Sequence, residues 1–208
     1  MPSHEFEQFS ESCFGDSFGS VHDGVNEKAI LSLQGEEREK AEKLLLQSLG
    51  TDTDTDSRPV IALGLLRSKE AVEPLKKRLL TASDIDRIQT ALALFRIEKY
   101  PEAEQIIIDC LKENKPDKMT QWLAAGVLPH FGKTNRVIQA LLELMAKDDE
   151  IGHSATSSLR TMFIEDGPVR NLLGQILLNN HDVHNPEFLS RAKLIKQVAE
   201  LVGAQVKG

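Results

Sequence analysis

Apolar and polar positions alternate along this chain in blocks of helical period, and the blocks come in pairs. Four segments align by eye: RPVIALGLLRSKEAVEPLKKRLL (58–80), IQTALALFRIEKYPEAEQIIIDCL (88–111), WLAAGVLPHFGKTNRVIQALLELM (122–145) and SATSSLRTMFIEDGPVRNLLGQILL (154–178). Each reads as an apolar helix, a short polar turn and a second, amphipathic helix. Small residues mark the first helices at Ala62, Ala91, Ala125 and Ala155, separated by 29, 34 and 30 positions. In the second helices Val72, Ala103, Val137 and Val169 lie 31, 34 and 32 apart. Val72, Leu75 and Leu79 fall at i, i+3 and i+7, as do Val169, Leu172 and Ile176, which puts each set on one helical face.

The pairing predicts an all-α fold with helix pairs at about 57–80, 84–113, 117–147 and 149–179. A less regular pair occupies 25–50, and one closing helix spans 186–202. Asp84, Asp117 and Asp148 stand where N-caps belong. Pro101 and Pro168 fall at or near a first turn, where a missing N–H costs nothing. A helix–turn–helix unit repeated every thirty-odd residues cannot bury its apolar face alone, so neighbouring units must stack.

These segments resemble HEAT-like repeats, particularly the short bacterial kind of the phycobilin lyases, with residues 62–79 (ALGLL to EAVEPLKKRL) the nearest in pattern. The resemblance covers roughly residues 25–180. It implies a right-handed α-solenoid of stacked antiparallel helix pairs, HEAT- or armadillo-like, and it implies protein binding more directly than any chemistry. In such folds second helices line the concave side. Residues there that point away from the apolar stripe are Glu73, Lys76, Lys77, Glu104, Gln105, Arg136, Gln139, Glu143, Arg170 and Gln175. Their mixed charge suits a protein ligand better than a polyanion.

Charge adds one asymmetry. Residues 1–56 hold 13 Asp/Glu against 4 Lys/Arg, while residues 57–208 hold 19 against 21. An acidic chain gains little from counterion release at phosphates, so no nucleic-acid partner is expected. Lys76-Lys77-Arg78 is too small a basic cluster to form the groove of a HEAT-type DNA glycosylase. No apolar run approaches the length needed to span a bilayer, and MPSHEFEQFS has no signal-peptide pattern, so the expected address is cytoplasmic and no membrane partner is expected. The first 24 residues hold Phe6, Phe9, Phe14 and Phe18, half of the 8 Phe. Phe6, Phe9, Cys13 and Phe14 share one helical face, which serves either to cap the first repeat or to dock a partner.

The candidate chemistry is thin. Asp52, Asp54 and Asp56 in GTDTDTDSRP alternate like the start of a calcium loop, but position six is Ser57 and position twelve is Leu63, not the bidentate Glu. The stretch reads as a linker, with Asp56 or Ser57 as N-cap and Pro59 near the first turn of the next helix. His181 and His184 flank Asp182 without the further ligands zinc requires. His4-Glu5 is the one His-Glu pair and lies outside the repeats, unlike the pairs of iron-binding HEAT-repeat hydroxylases. Cys110 falls on an apolar face, and Cys13 lies among phenylalanines. No cofactor, metal or catalytic residue is expected. The reading is a non-catalytic cytoplasmic scaffold of bacterial type, an adaptor or an inhibitor such as an immunity protein that neutralises a toxin. The alternative implied by the resemblance is a bilin-lyase-like enzyme subunit or chaperone.

Overall fold

A computed structural model of the chain describes residues 2–15, 24–49, 56–112, 116–147, 149–178 and 191–206. The described residues form twelve α-helices and no strand, so the protein is all-α. The helices are α1 (His4–Phe14), α2 (Glu27–Ser32), α3 (Gly35–Ser48), α4 (Arg58–Leu66), α5 (Val72–Leu79) and α6 (Asp84–Glu98). They continue as α7 (Ala103–Lys112), α8 (Lys118–Val127), α9 (Asn135–Met145), α10 (Glu150–Met162), α11 (Gly167–Leu178) and α12 (Arg191–Val206). Short 3₁₀ turns at Lys69–Ala71 and Leu128–Phe131 sit between α4 and α5 and between α8 and α9. The chain divides into two compact units, Met1–Ile106 and Ile107–Gly208, with the division inside α7.

In the first unit, α4 packs on α6, α5 on α6, α3 on α4 and α2 on α4. The pattern of small residues explains the closest of these contacts. A Cβ on Gly64 would stand 2.8 Å from Ala93 Cα and 2.9 Å from its Cβ, so α4 and α6 approach as they do because Gly faces Ala. Leu63, the residue that a calcium loop would need as Glu, is fully buried in this core. Asp56 instead accepts from Arg58 N at 2.9 Å and pairs with Arg58 Nη2 at 2.7 Å, while Ser57 is the N-cap residue of α4 and Pro59 lies in its first turn. Asp52 and Asp54 lie outside the described residues.

Helix α1 belongs to this core. Phe6, Phe9 and Cys13 are buried against a cluster that includes Ile30, Leu45, Leu63 and Leu66, and α1 packs on α2 and α4. Its start is fixed by Ser3, whose hydroxyl accepts from Phe6 N at 3.1 Å and donates to Glu37 on α3 at 2.6 Å. Its end is held by Arg58 Nη1, which donates to the Gly15 carbonyl at 2.9 Å. The aromatic face predicted at the N-terminus is therefore mostly interior, with Phe14 at its margin.

In the second unit, α8 packs on α10, α9 on α10, α10 on α11, and α12 on α11 and α9. Ser158 on α10 donates to the Ala125 carbonyl on α8 at 2.8 Å and ties these two helices together. Helix α9 buries Val137, Ile138, Leu141, Leu144 and Met145 along one side. Helix α12 buries Leu194, Val198 and Val202 at four-residue spacing, one stripe of a helix docked on its neighbours.

Several boundaries shift by a residue from those the sequence predicts. Helix α6 is capped by Ser83, with Asp84 already in its first turn, where a carboxylate favours the positive end of the helix dipole. Asp117, by contrast, caps α8 where the sequence places it, accepting from Thr120 N at 2.8 Å. Asp149 caps α10, its Oδ1 accepting from Ile151 N and Gly152 N at 3.0 and 3.1 Å; Asp148 lies outside the described residues. On α11 the fully buried residue is Leu173 rather than Leu172, because Val169, Leu173 and Ile176 follow the i, i+4, i+7 face. The closing helix runs on to Val206, and residues 186–190 of the predicted span lie outside the described residues.

Candidate functional site

The row of polar residues on the second helices divides on inspection. Glu73 and Lys77 on α5 are exposed, as are Arg136, Gln139 and Glu143 on α9 and Arg170 and Gln175 on α11; Gln105 is half-buried. Glu104 corrects the expectation, since it is only 8% exposed. It lies one turn before Ile107 and Ile108 on the buried side of α7, so it displays nothing to a partner. Lys76 is half-buried and engaged within its own unit, 3.0 Å from Glu98 and 3.6 Å from Glu73, with its ammonium 5.5 Å from the Tyr100 ring centroid. The Glu98 contact raises its pKa. Gln139 and Glu143 bond to each other at 3.0 Å, and Arg170 donates to the Ile164 carbonyl at 3.2 Å. These pairs are the ordinary furniture of solvated helix faces.

A different surface stands out in the second unit. The first turns of α8 and α10 lie side by side and enclose an open cleft of about 510 Å³, lined by Lys118, Met119, Trp122, Asp149, Glu150 and Ile151. Trp122 is 52% exposed and Met119 57%, whereas Ile151 is buried. Trp122 is the single Trp of the chain. Its position follows from helical geometry. The buried residues of α8 are Thr120, Gln121, Ala124, Ala125 and Val127, followed by Leu128 in the 3₁₀ turn, so Met119 and Trp122 fall on the outer side. Gly126 continues that line one turn beyond Trp122; it is exposed, and a Cβ built on it meets nothing within 4 Å.

The charges around the cleft are held in place by the caps. Asp117 takes Thr120 N on one oxygen and Thr120 Oγ1 on the other at 3.0 Å, and these bonds hold its pKa below the ordinary 3.8. Asp149 spends Oδ1 on the α10 N-terminus. Glu150 and Lys118 are exposed. Among the described residues lining the cleft, Asp149 and Glu150 stand beside one ammonium, Lys118.

The sequence pattern passes over this cleft because Trp122 and Met119 look like the opening of an apolar helix. A helical wheel of α8 carries the signal: 119, 122 and 126 are at i, i+3 and i+7, opposite the alanines.

Groups with catalytic or ligand chemistry are sparse among the described residues. No group of three or more His, Cys, Asp or Glu side chains is placed to hold a metal ion there. His181, Asp182 and His184 lie outside the described residues. Cys13 and Cys110 are both buried and unbridged. Burial pushes the Cys13 thiol up to about 11, which removes it as a nucleophile at neutral pH. Of the carboxylates in residues 1–56, Asp16, Asp23, Asp52 and Asp54 lie outside the described residues; Asp56 is tied to Arg58, and Glu37 to Ser3. No helix among the described residues is long and apolar enough to cross a membrane. Compared with known proteins, the chain matches no family model, no curated protein and no solved structure.

Proposed function

We propose that this protein is a non-catalytic protein-binding module, an adaptor or an inhibitor, whose helix pairs stack as a short HEAT-like α-solenoid. Supporting the stacking, most helix contacts within each unit join neighbours one or two places along the chain, with α1–α4 and α9–α12 three apart. The observation that carries the function is the exposure of Trp122 and Met119 over a cleft, in a chain whose other tryptophan-sized anchors are absent. Trp and Met are enriched at the centres of protein interfaces, and a half-exposed pair beside a recess fits that role.

On this reading the contact surface is the α8–α10 cleft rather than the row on the second helices, where Glu104 is buried and Lys76 is already engaged. The test is identification of proteins that co-purify from the source organism, followed by calorimetric titration of the purified candidate. A saturable complex of fixed stoichiometry is expected. Failure of every co-purifying protein to bind saturably would overturn the reading.

A further inference from the structure

The outer face of α8 carries more information than an exposed tryptophan. Met119, Trp122 and Gly126 form a straight line along the helix, bulky at one end and bare at the other. Glycine inside an exposed helix costs up to about 1 kcal/mol relative to alanine. At Gly64 the neighbouring Ala93 accounts for that cost, whereas at Gly126 nothing within the described residues approaches. A missing side chain one turn from an exposed Trp leaves room for another backbone to come close beside the ring. The surface that fits a line of this kind, at i, i+3 and i+7, is a second helix lying along it.

Charge specifies the class of helix. Among the described residues that line the cleft with Trp122, Asp149 and Glu150 are the two acids and Lys118 the one cation. An indole face also attracts a guanidinium or ammonium laid across it, and long basic side chains bring apolar stems to cover the ring. We propose that the Met119–Trp122–Gly126 stripe docks a basic amphipathic helix of a partner protein, with its cations facing Asp149 and Glu150. This rests on the protein-binding reading above and adds the chemistry of the partner. The presence of Lys118 makes the fit one to a helix with its cations on one side, not to a uniformly cationic chain.

Because Trp122 is the single Trp, its emission reports this site alone. The probes are acetylated and amidated peptides of about eighteen residues, long enough for helix formation. One is a Leu/Lys amphipathic helix, the second its Leu/Glu counterpart, and the third a Leu/Lys scramble without a helical apolar face. The proposal expects a saturable blue shift of the full-length protein with the first peptide and none with the other two. Gly126→Gln, which fills the bare position, is expected to weaken the response about tenfold or more, as steric loss at an interface centre does. Gly126→Ala is expected to retain it.

Equal responses to all three peptides, no response to any, or wild-type affinity in Gly126→Gln would overturn the proposal. So would a blue shift on raising protein concentration without peptide, which would make the occupant a second copy. The two readings fail separately. A stoichiometric partner whose binding is indifferent to Gly126→Gln sinks the surface and leaves the function, whereas the absence of any partner sinks the function.

Discussion

The two units are built from the same kind of helix and finished differently. The first, residues 1–106, carries 20 Asp/Glu against 13 Lys/Arg; the second, residues 107–208, carries 12 of each. In the first, an extra helix is spent on covering apolar surface: α1 lays Phe6, Phe9 and Cys13 into the core and is fastened by Ser3 to Glu37 and by Arg58 to Gly15. In the second, Trp122 and Met119 are left uncovered beside a cleft. Phe9 and Trp122 thus do opposite work in the two units. In one, Phe6 and Phe9 are sealed into the core; in the other Phe163 is buried while Trp122 remains available. The lesson is that an apolar residue at helical spacing says which face it shares, and only its neighbours say whether that face is covered.

The sharpest way to break this comparison is to truncate one aromatic on each side. Phe9→Ala removes a fully buried ring and should cost about 3–5 kcal/mol in urea unfolding. Trp122→Ala should stay within about 0.5 kcal/mol of wild type, since its ring is half in water. Similar losses at both sites would mean that Trp122 is a core residue.

Next in size is the buried ion pair of the first unit. Arg78 Nη2 stands 2.8 Å from Asp86 Oδ2, and Ser57 Oγ donates to Asp86 Oδ1 at 3.0 Å. Asp86→Ala leaves the guanidinium largely buried beside an empty site, and a loss of about 3 kcal/mol is expected. Replacing both partners by apolar residues should recover much of it. A double variant as unstable as the single one would show that the carboxylate acts through something other than this pair.

Glycines supply a smaller and opposite-signed pair. Gly64→Ala drives a methyl group into Ala93 and should destabilise by about 1–3 kcal/mol. Gly126→Ala meets open space and should stabilise by up to about 1 kcal/mol, the helix-propensity gain. Equal shifts in melting temperature would erase the distinction between a packed and an open helix face.

The smallest effect is electrostatic. Hydrogen bonds from the Ser3 hydroxyl and backbone N–H hold the Glu37 carboxyl below its ordinary 4.5. A depressed acid contributes stability that is present above its unfolded value and lost as pH falls through the folded one. Melting temperature followed from about pH 6 to about pH 3 should therefore fall less steeply in Glu37→Gln than in wild type. An unchanged slope would mean that the α1 anchor does not depend on this charge.

Much of this arrangement is legible in the sequence, for identifiable reasons. Helix positions follow from the spacing of Ala62, Ala91, Ala125 and Ala155 and from amphipathic second helices, because burial of one stripe is a strong, periodic signal. The cap of α10 falls at Asp149 because adjacent aspartates offer the backbone equivalent acceptors, whereas α6 begins after Ser83, whose side chain makes no capping bond. Glu104 is misread because a carboxylate looks like a surface residue even where its register with Ile107 and Ile108 says otherwise. Trp122 is passed over rather than misread, since it stands at the head of an apolar helix; its exposure follows from its position opposite Ala124 and Ala125.

The central claim is that Trp122 anchors a partner and contributes little to the fold. Its most direct test is calorimetric titration of the co-purified partner into wild-type protein and Trp122→Ala, with melting temperatures recorded for both. The account predicts an affinity about tenfold or more weaker for the variant at a nearly unchanged melting temperature. Unchanged affinity, or a loss of affinity that only tracks a lowered melting temperature, would contradict it.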